Sequence, residues 1–227
     1  MDRSSALDIV GRQFGANLIA GEWVSTTAEF AVLDKYTASP VSVASEADGA
    51  QVGAAISALE AYTQLATPAP AQRAVILRRC ADLIEAHRAD FTALMMIEAG
   101  FTAPDASLEI DRAITTLHLC AEEATRISGE MVPFGATNGA ERRMGFTLRM
   151  PVGIVCAITP FNSPLNVVLH KVAPALAAGN AVVLKPSPHT PLTATLLVQV
   201  LLEAGVSPQS LALVHGGAEV GRALIED

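Results

Sequence analysis

Three stretches of the chain, VGIVCAI (152–158), AVVLK (181–185) and LALV (211–214), are short and almost wholly apolar. A strand with one wet face alternates polar and apolar residues. A strand without alternation is covered on both faces, the condition of a parallel sheet packed between helices. A helical segment follows each stretch. SPLNVVLHKVAPALAAG offers Ser163 as N-cap, Pro164 at the first helical position and Gly179 as stop, with Pro174 expected to kink or split it. TPLTATLLVQVLLEAG repeats the pattern with Thr190, Pro191 and Gly205, and EVGRALIED opens a third helix. Strand and helix alternate from residue 151 to 227, so the expected fold class is α/β, with the first half of a doubly wound parallel sheet.

The preceding residues read differently. Residues 1–46 carry short strands and turns: NLIAGEWV and EFAVLDKY form a strand pair with a turn at Gly21-Glu22, and Trp23 is a packing anchor. From Asp48 the apolar period becomes that of a helix, giving a helical layer over 47–127. Val52, Ile56 and Leu59 mark one helix. A long helix follows over 71–98, with Ile76, Cys80, Leu83, Ile84, His87, Phe91, Leu94 and Met95 on its core stripe. A third helix, about 105–126, has Ile110, Ala113, Ile114, Leu117, Cys120 and Ala124 on its stripe. A small-residue loop then leads to a strand over 143–150 ending at Pro151.

Composition narrows the function. A net charge of −8 without a Lys/Arg cluster argues against a nucleic-acid partner. The longest apolar run, TATLLVQVLLEAGV, is too short for a bilayer and contains Gln199 and Glu203, and MDRSSALDIVGRQ lacks the apolar core of a signal peptide. The three cysteines, Cys80, Cys120 and Cys156, have no pairing-friendly spacing, which points to the reducing cytoplasm. The five histidines show no metal-ligand spacing, so no metal site is expected.

In such sheets ligands collect beyond the carboxyl ends of the strands. In the first loop there, TPFNSP, Asn162 precedes a helix cap. Its neutral amide can donate to a developing oxyanion beside the helix N-terminus, or it can simply satisfy turn backbone. In the second, KPSPHTP, Pro186 forces an extended exit after Lys185. The ammonium either meets a cofactor hydroxyl or phosphate or stays solvated, and His189 reads as an ordinary loop residue. The third loop, HGGAEVG, has Gly216, Gly217 and Gly221 without the G-x-G-x-x-G spacing, so a tight turn explains it as well as a phosphate cradle. Cys156 falls inside an apolar strand with no base or cation beside it and reads as structural, not nucleophilic.

Taken in order and spacing, PVGIVCAITPFNSPLNVVLHKVAPALAAGNAVVLKPSPHTPLTA closely resembles the aldehyde dehydrogenase superfamily. LIAGEWV, RAVILRRCADLIEAHRADF and HGGAEVGRAL extend the resemblance over nearly the whole chain. The family oxidises aldehydes to acids with NAD or NADP. A cysteine thiolate attacks the carbonyl, hydride passes to the nicotinamide and water hydrolyses the thioester. The resemblance implies a Rossmann-like sheet with Asn162 as oxyanion donor. Ile158, Thr159, Pro160 and Phe161 would line the cofactor cleft, Lys185 would reach the adenosine ribose, Ala218 and Gly221 would lie near the adenine, and Ser187, Pro188 and Gly217 would also bind the cofactor. It also implies a small aldehyde substrate, and a strand at 143–150 that joins subunits in a homo-oligomer.

Two departures stand out. The family usually carries a ribose-clamping glutamate where this chain has Pro188, which weakens strict NAD use and removes a charge that would repel the 2′-phosphate of NADP. The chain also stops at Asp227, ahead of the family's nucleophilic cysteine and general-base glutamate. The expectation is therefore the N-terminal part of an NAD(P)-dependent aldehyde dehydrogenase, inactive alone. Two other readings stay open: a non-catalytic nucleotide-binding or interaction module, and one half of a split enzyme whose second chain supplies the missing cysteine.

Overall fold

The structure, a computed structural model, describes residues 15–65 and 67–226. The expected N-terminal segment before residue 15 lies outside the described residues. β1 (Asn17–Ile19) and β2 (Glu22–Val24) form an antiparallel hairpin within NLIAGEWV itself. Its turn is Ala20-Gly21, one residue earlier than expected, with both residues at positive φ (53° and 85°). That geometry matches the twist of the flanking strands. β3 (Glu29–Leu33) pairs instead with β4 (Pro40–Ser45) in a separate two-stranded sheet.

Four helices follow. α1 (Gly49–Thr63) starts on a reciprocal cap, Gln51 N to Asp48 Oδ1 (2.8 Å) and Asp48 N to Gln51 Oε1 (3.1 Å). The stretch expected as one helix over 71–98 is two, α2 (Pro70–Ala86) and α3 (Arg88–Glu98). They break at His87, whose backbone (φ −94°, ψ 18°) leaves the helical basin and whose Nδ1 lies 2.9 Å from Asp90 Oδ2. The apolar spacing persists across the break, which hides it from periodicity. α4 (Ala103–Ala124) buries Ile110, Ala113, Leu117 and Ala124 as expected and adds Ala106, but Ile114 and Cys120 sit half-buried at the stripe's edge.

The alternating half is β5 (Ile154–Ile158), α5 (Asn166–Ala177), β6 (Ala181–Lys185), α6 (Pro191–Ala204), β7 (Leu211–Leu213) and α7 (Ala218–Glu226). β5, β6 and β7 are parallel, and the full order is β2-β1-β7-β6-β5, so the β1 hairpin closes one side antiparallel to β7. Leu18, Val182, Leu184, Leu211 and Leu213 share a core with α2, α3, α4, α5 and α6. Ala181, Val183, Ala212 and Val214 pack against Val52, Ala55 and Leu59 of α1 and Val220 and Leu224 of α7. Both faces of β6 and β7 are thus apolar, the physical reason their sequences do not alternate.

Several expectations need correction. β5 is the outer strand, so Cys156 is exposed and most of β5 is half-buried. α5 begins at Asn166, two residues beyond the expected first position Pro164, and runs through Pro174 without splitting. The expected strand over 143–150 is reduced to one antiparallel bridge, Met131 to Phe146. Its apolar side chains, Met144, Phe146, Leu148 and Met150, are 64–84% exposed, and backbone bonds from Val132 N to Gly145 O and Thr147 N to Glu130 O hold the bridge. Among the described residues no helix is long and apolar enough to cross a membrane.

Candidate active site

The carboxyl ends of β5, β6 and β7 deliver three loops to one edge of the sheet, and the loops are tied to each other. Thr159 N donates to Lys185 O (3.1 Å), holding the first loop against the second. Phe161 and His189 rings meet edge-on with centroids 5.6 Å apart, so His189, read as an ordinary loop residue, braces the first loop. Lys185 Nζ donates to Gly216 O (2.8 Å) and Pro186 O (3.1 Å), holding the second loop against the third.

Lys185 is therefore not the solvated strand-end lysine that one reading allowed. It is 5% exposed, and burial lowers its pKa while the Cys156 and Glu46 side chains pull the other way. Two of its three donors are used. Gly221 is buried against it, since a Cβ there would stand 3.4 Å from Lys185 Cε. Gly216 has φ +145°, and a Cβ would come 2.4 Å from Val220 Cγ2, so this glycine serves the tight turn that sequence had set beside a phosphate cradle.

Asn162 is exposed in the bend between β5 and α5, with no hydrogen bond to its amide among the described residues. Around it Ile158 is half-buried, Thr159 buried, and Pro160 and Phe161 exposed. Thr159 Oγ1 is enclosed and has no hydrogen-bond partner among the described residues. Ser187 Oγ accepts from His189 N (3.2 Å), Pro188 sits half-buried beside it, and Gly217 and Ala218 lie at the start of α7, Gly217 half-buried and Ala218 exposed. The first loop thus presents an uncommitted amide, the second a lysine with one N–H to spare.

Three glutamates missed by the sequence reading complete this edge. Glu109 of α4 is 5% exposed, and its Oε1 accepts from Ser163 Oγ (2.5 Å), Asn166 N (2.8 Å) and Leu165 N (3.3 Å). Ser163 Oγ accepts in turn from Val167 N (3.3 Å), so Ser163 does cap α5, from two residues before the N-cap position. Glu98 of α3 has no exposed surface and accepts from Leu192 N (2.8 Å) and Thr193 N (2.6 Å) at the start of α6. Glu46, half-buried after β4, accepts from Gly217 N (3.2 Å) before α7. A signal existed for two of them: Glu98 lies four residues beyond Leu94, and Glu109 three beyond Ala106, each a charge on an apolar stripe.

The cysteines do not converge here. Burial raises the Cys80 thiol to about 12 and also raises Cys120 and Cys156. Cys156 stands on β5 before the loop, with Lys185 exerting the weaker, opposite influence on it. A small half-open cavity of about 40 Å³ lined by Tyr62, Arg73, Asn180 and Ser210 lies at the opposite, amino end of the strands.

Residues 23–227 match the aldehyde dehydrogenase family. A 3-sulfolactaldehyde dehydrogenase of Priestia aryabhattai is 43% identical over 218 residues, covering 95% of this chain and 45% of that protein. Aspartate-semialdehyde dehydrogenase 1 of Pseudomonas canavaninivorans is 49% identical over 154 residues, covering 68% of this chain and 33% of that protein. Among solved structures, betaine aldehyde dehydrogenase of Staphylococcus aureus in complex with NAD+ superposes with a TM-score of 0.91 at 27% identity, over 98% of this chain and 44% of that one. The chain thus spans less than half the length of these relatives. With the family match covering almost all of its length and a fold that follows its solved relatives, the chain belongs to the aldehyde dehydrogenase family.

Proposed function

We propose that this chain supplies the oxyanion donor and the adenosine side of the cofactor cleft for NAD- or NADP-dependent oxidation of a small aldehyde. The reading is carried by one observation: Asn162 presents an uncommitted amide at the carboxyl edge of the sheet, on a loop tied through Thr159 to Lys185. A neutral amide holds negative charge on a substrate oxygen without competing for protons. Such a donor contributes ~2.7–4 kcal/mol of transition-state stabilisation in a site shielded from water. The spare N–H of Lys185 suits a ribose hydroxyl, with Ile158, Thr159, Pro160, Phe161, Ser187 and Pro188 around it and Gly217, Ala218 and Gly221 beside the adenine. NAD or NADP, when bound, takes up the hydride; the chain's own groups bind and orient. Lys185 lies beside Pro188 in a loop without a carboxylate, which leaves both cofactors open.

The substrate is a short aldehyde carrying an acidic group. Support comes from the relatives named for sulfolactaldehyde and aspartate semialdehyde, both of which carry one.

Burial that raises all three thiols supports the reading that none is the nucleophile and that the 227 residues alone do not turn over. The nucleophile and base come from a further segment or a second, different chain that completes the site, while the exposed 143–150 stretch joins copies of the chain. The working place is the cytoplasm, supported by cysteines that form no disulfide. The test pairs adenosine binding with a turnover assay on a panel of short acidic aldehydes and both cofactors, followed at the absorbance of the reduced nicotinamide. Adenosine binding without turnover is expected. Reproducible reduced-cofactor formation by the chain alone would overturn the claim of inactivity, and no nucleotide binding at all would overturn the cleft.

A further inference from the structure

A helix N-terminus at the carboxyl edge of a doubly wound sheet is ordinarily where a cofactor phosphate sits, because unpaired N–H groups and the helix dipole favour an anion. This molecule has three such ends, and each is met by a carboxylate from the N-terminal part of the chain. At α5, Glu109 takes Leu165 N and Asn166 N, and Ser163 takes Val167 N. At α6, Thr190 N bonds Ser187 O, Pro191 has no N–H, and Glu98 takes Leu192 N and Thr193 N. At α7, Glu46 takes Gly217 N, and Glu219 adds a second carboxylate to the first turn.

We infer that the carboxyl groups of Glu109, Glu98 and Glu46 occupy these helix ends and close them to phosphate, so that this half of the cleft recognises the neutral sugar and ring of a nucleotide rather than its pyrophosphate. A phosphate arriving at α5 would find Leu165, Asn166 and Val167 N engaged, and one arriving at α6 would find Leu192 and Thr193 N engaged, each beside a buried carboxyl group. At α7 the barrier is charge repulsion. Lys185 is the cation placed between the second and third loops, and two of its donors already serve carbonyls. The inference rests on the cofactor reading above only for the identity of the nucleotide.

The experiment is an amide chemical-shift titration of the whole chain with two probes used separately, adenosine and inorganic pyrophosphate. Pyrophosphate should leave Leu165, Asn166, Leu192, Thr193 and Gly217 unmoved, while adenosine shifts amides near Lys185 and Gly217. Saturable pyrophosphate shifts at any of those five amides in the native chain would overturn the inference. Glu46→Gln isolates the charge, because Glu46 is half-buried and lies outside both cores. This variant should gain a pyrophosphate-dependent shift at Gly217 with at least tenfold tighter apparent binding, and continued silence would refute the role of the carboxylate. Adenosine silence beside that gain would sink the cofactor reading and leave the role of the carboxyl groups standing.

Discussion

Glu98 has no exposed surface, and its carboxylate meets two backbone N–H groups. Burial pushes its pKa up to about 7, against the opposing pull of hydrogen bonds from Thr193 and Leu192 and the charge of Lys35. A raised folded-state pKa means that the folded state holds the proton more tightly than the unfolded chain. The contribution to stability is therefore fully present below the ordinary glutamate range and is lost as pH rises to about 7. Urea midpoints of the native chain and Glu98→Gln between pH 4.5 and 7.5 check this: the native-minus-variant difference should fall as pH rises. The variant should also be less stable at every pH by about 1–3 kcal/mol, since one buried N–H loses its acceptor. His215 works in the opposite sense. It is buried, with Nε2 3.3 Å from Thr195 Oγ1, and burial lowers its pKa to about 3. A depressed pKa contributes stability above the ordinary histidine range that is lost as pH falls toward 3. His215→Asn should flatten that acid limb, and an unchanged slope below pH 6 would refute the assignment. Gly216→Ala tests the turn: a forbidden φ and a 2.4 Å clash should lower stability by about 1–3 kcal/mol, read from the same urea curves.

The elements of the α/β half were legible because each carries local punctuation. Pro191 and Gly205 bound α6 where expected, Gly205 in the left-handed conformation at φ 110°. The misplaced boundaries have a shared cause. The start of α5 is set by Glu109, 57 positions away from Asn166 in the chain, and no cap motif near residue 163 can report it. The break at His87 is set by a side-chain bond to Asp90 within an unbroken apolar stripe. β5 reads as a buried strand because its composition suits two neighbours, whereas in this structure it has one. A reactivity map follows: under native conditions a maleimide should label Cys156 readily, Cys120 more slowly and Cys80 only on unfolding, with mass spectrometry of the peptides as the check. Protection of Cys156 would mean that the β5 edge is covered in solution.

Over the whole molecule, exposed apolar surface concentrates on one segment. Met144, Phe146, Leu148, Met150 and Val152 are all exposed, in alternation with polar or small residues, leading into the open edge at β5. Such an exposed apolar stripe favours association. Sedimentation velocity should show concentration-dependent oligomers, and Leu148→Glu should shift them toward monomer. A monomer at every concentration would count against association through this segment. Local pattern alone determined the alternation of strand and helix, the apolar stripes and the loops that face a ligand, because periodicity and turn chemistry act within a few residues. Tertiary structure decided which strand lies at the edge, how Lys185 is held and which carboxylates close the helix ends, because each depends on contacts between residues far apart in the chain.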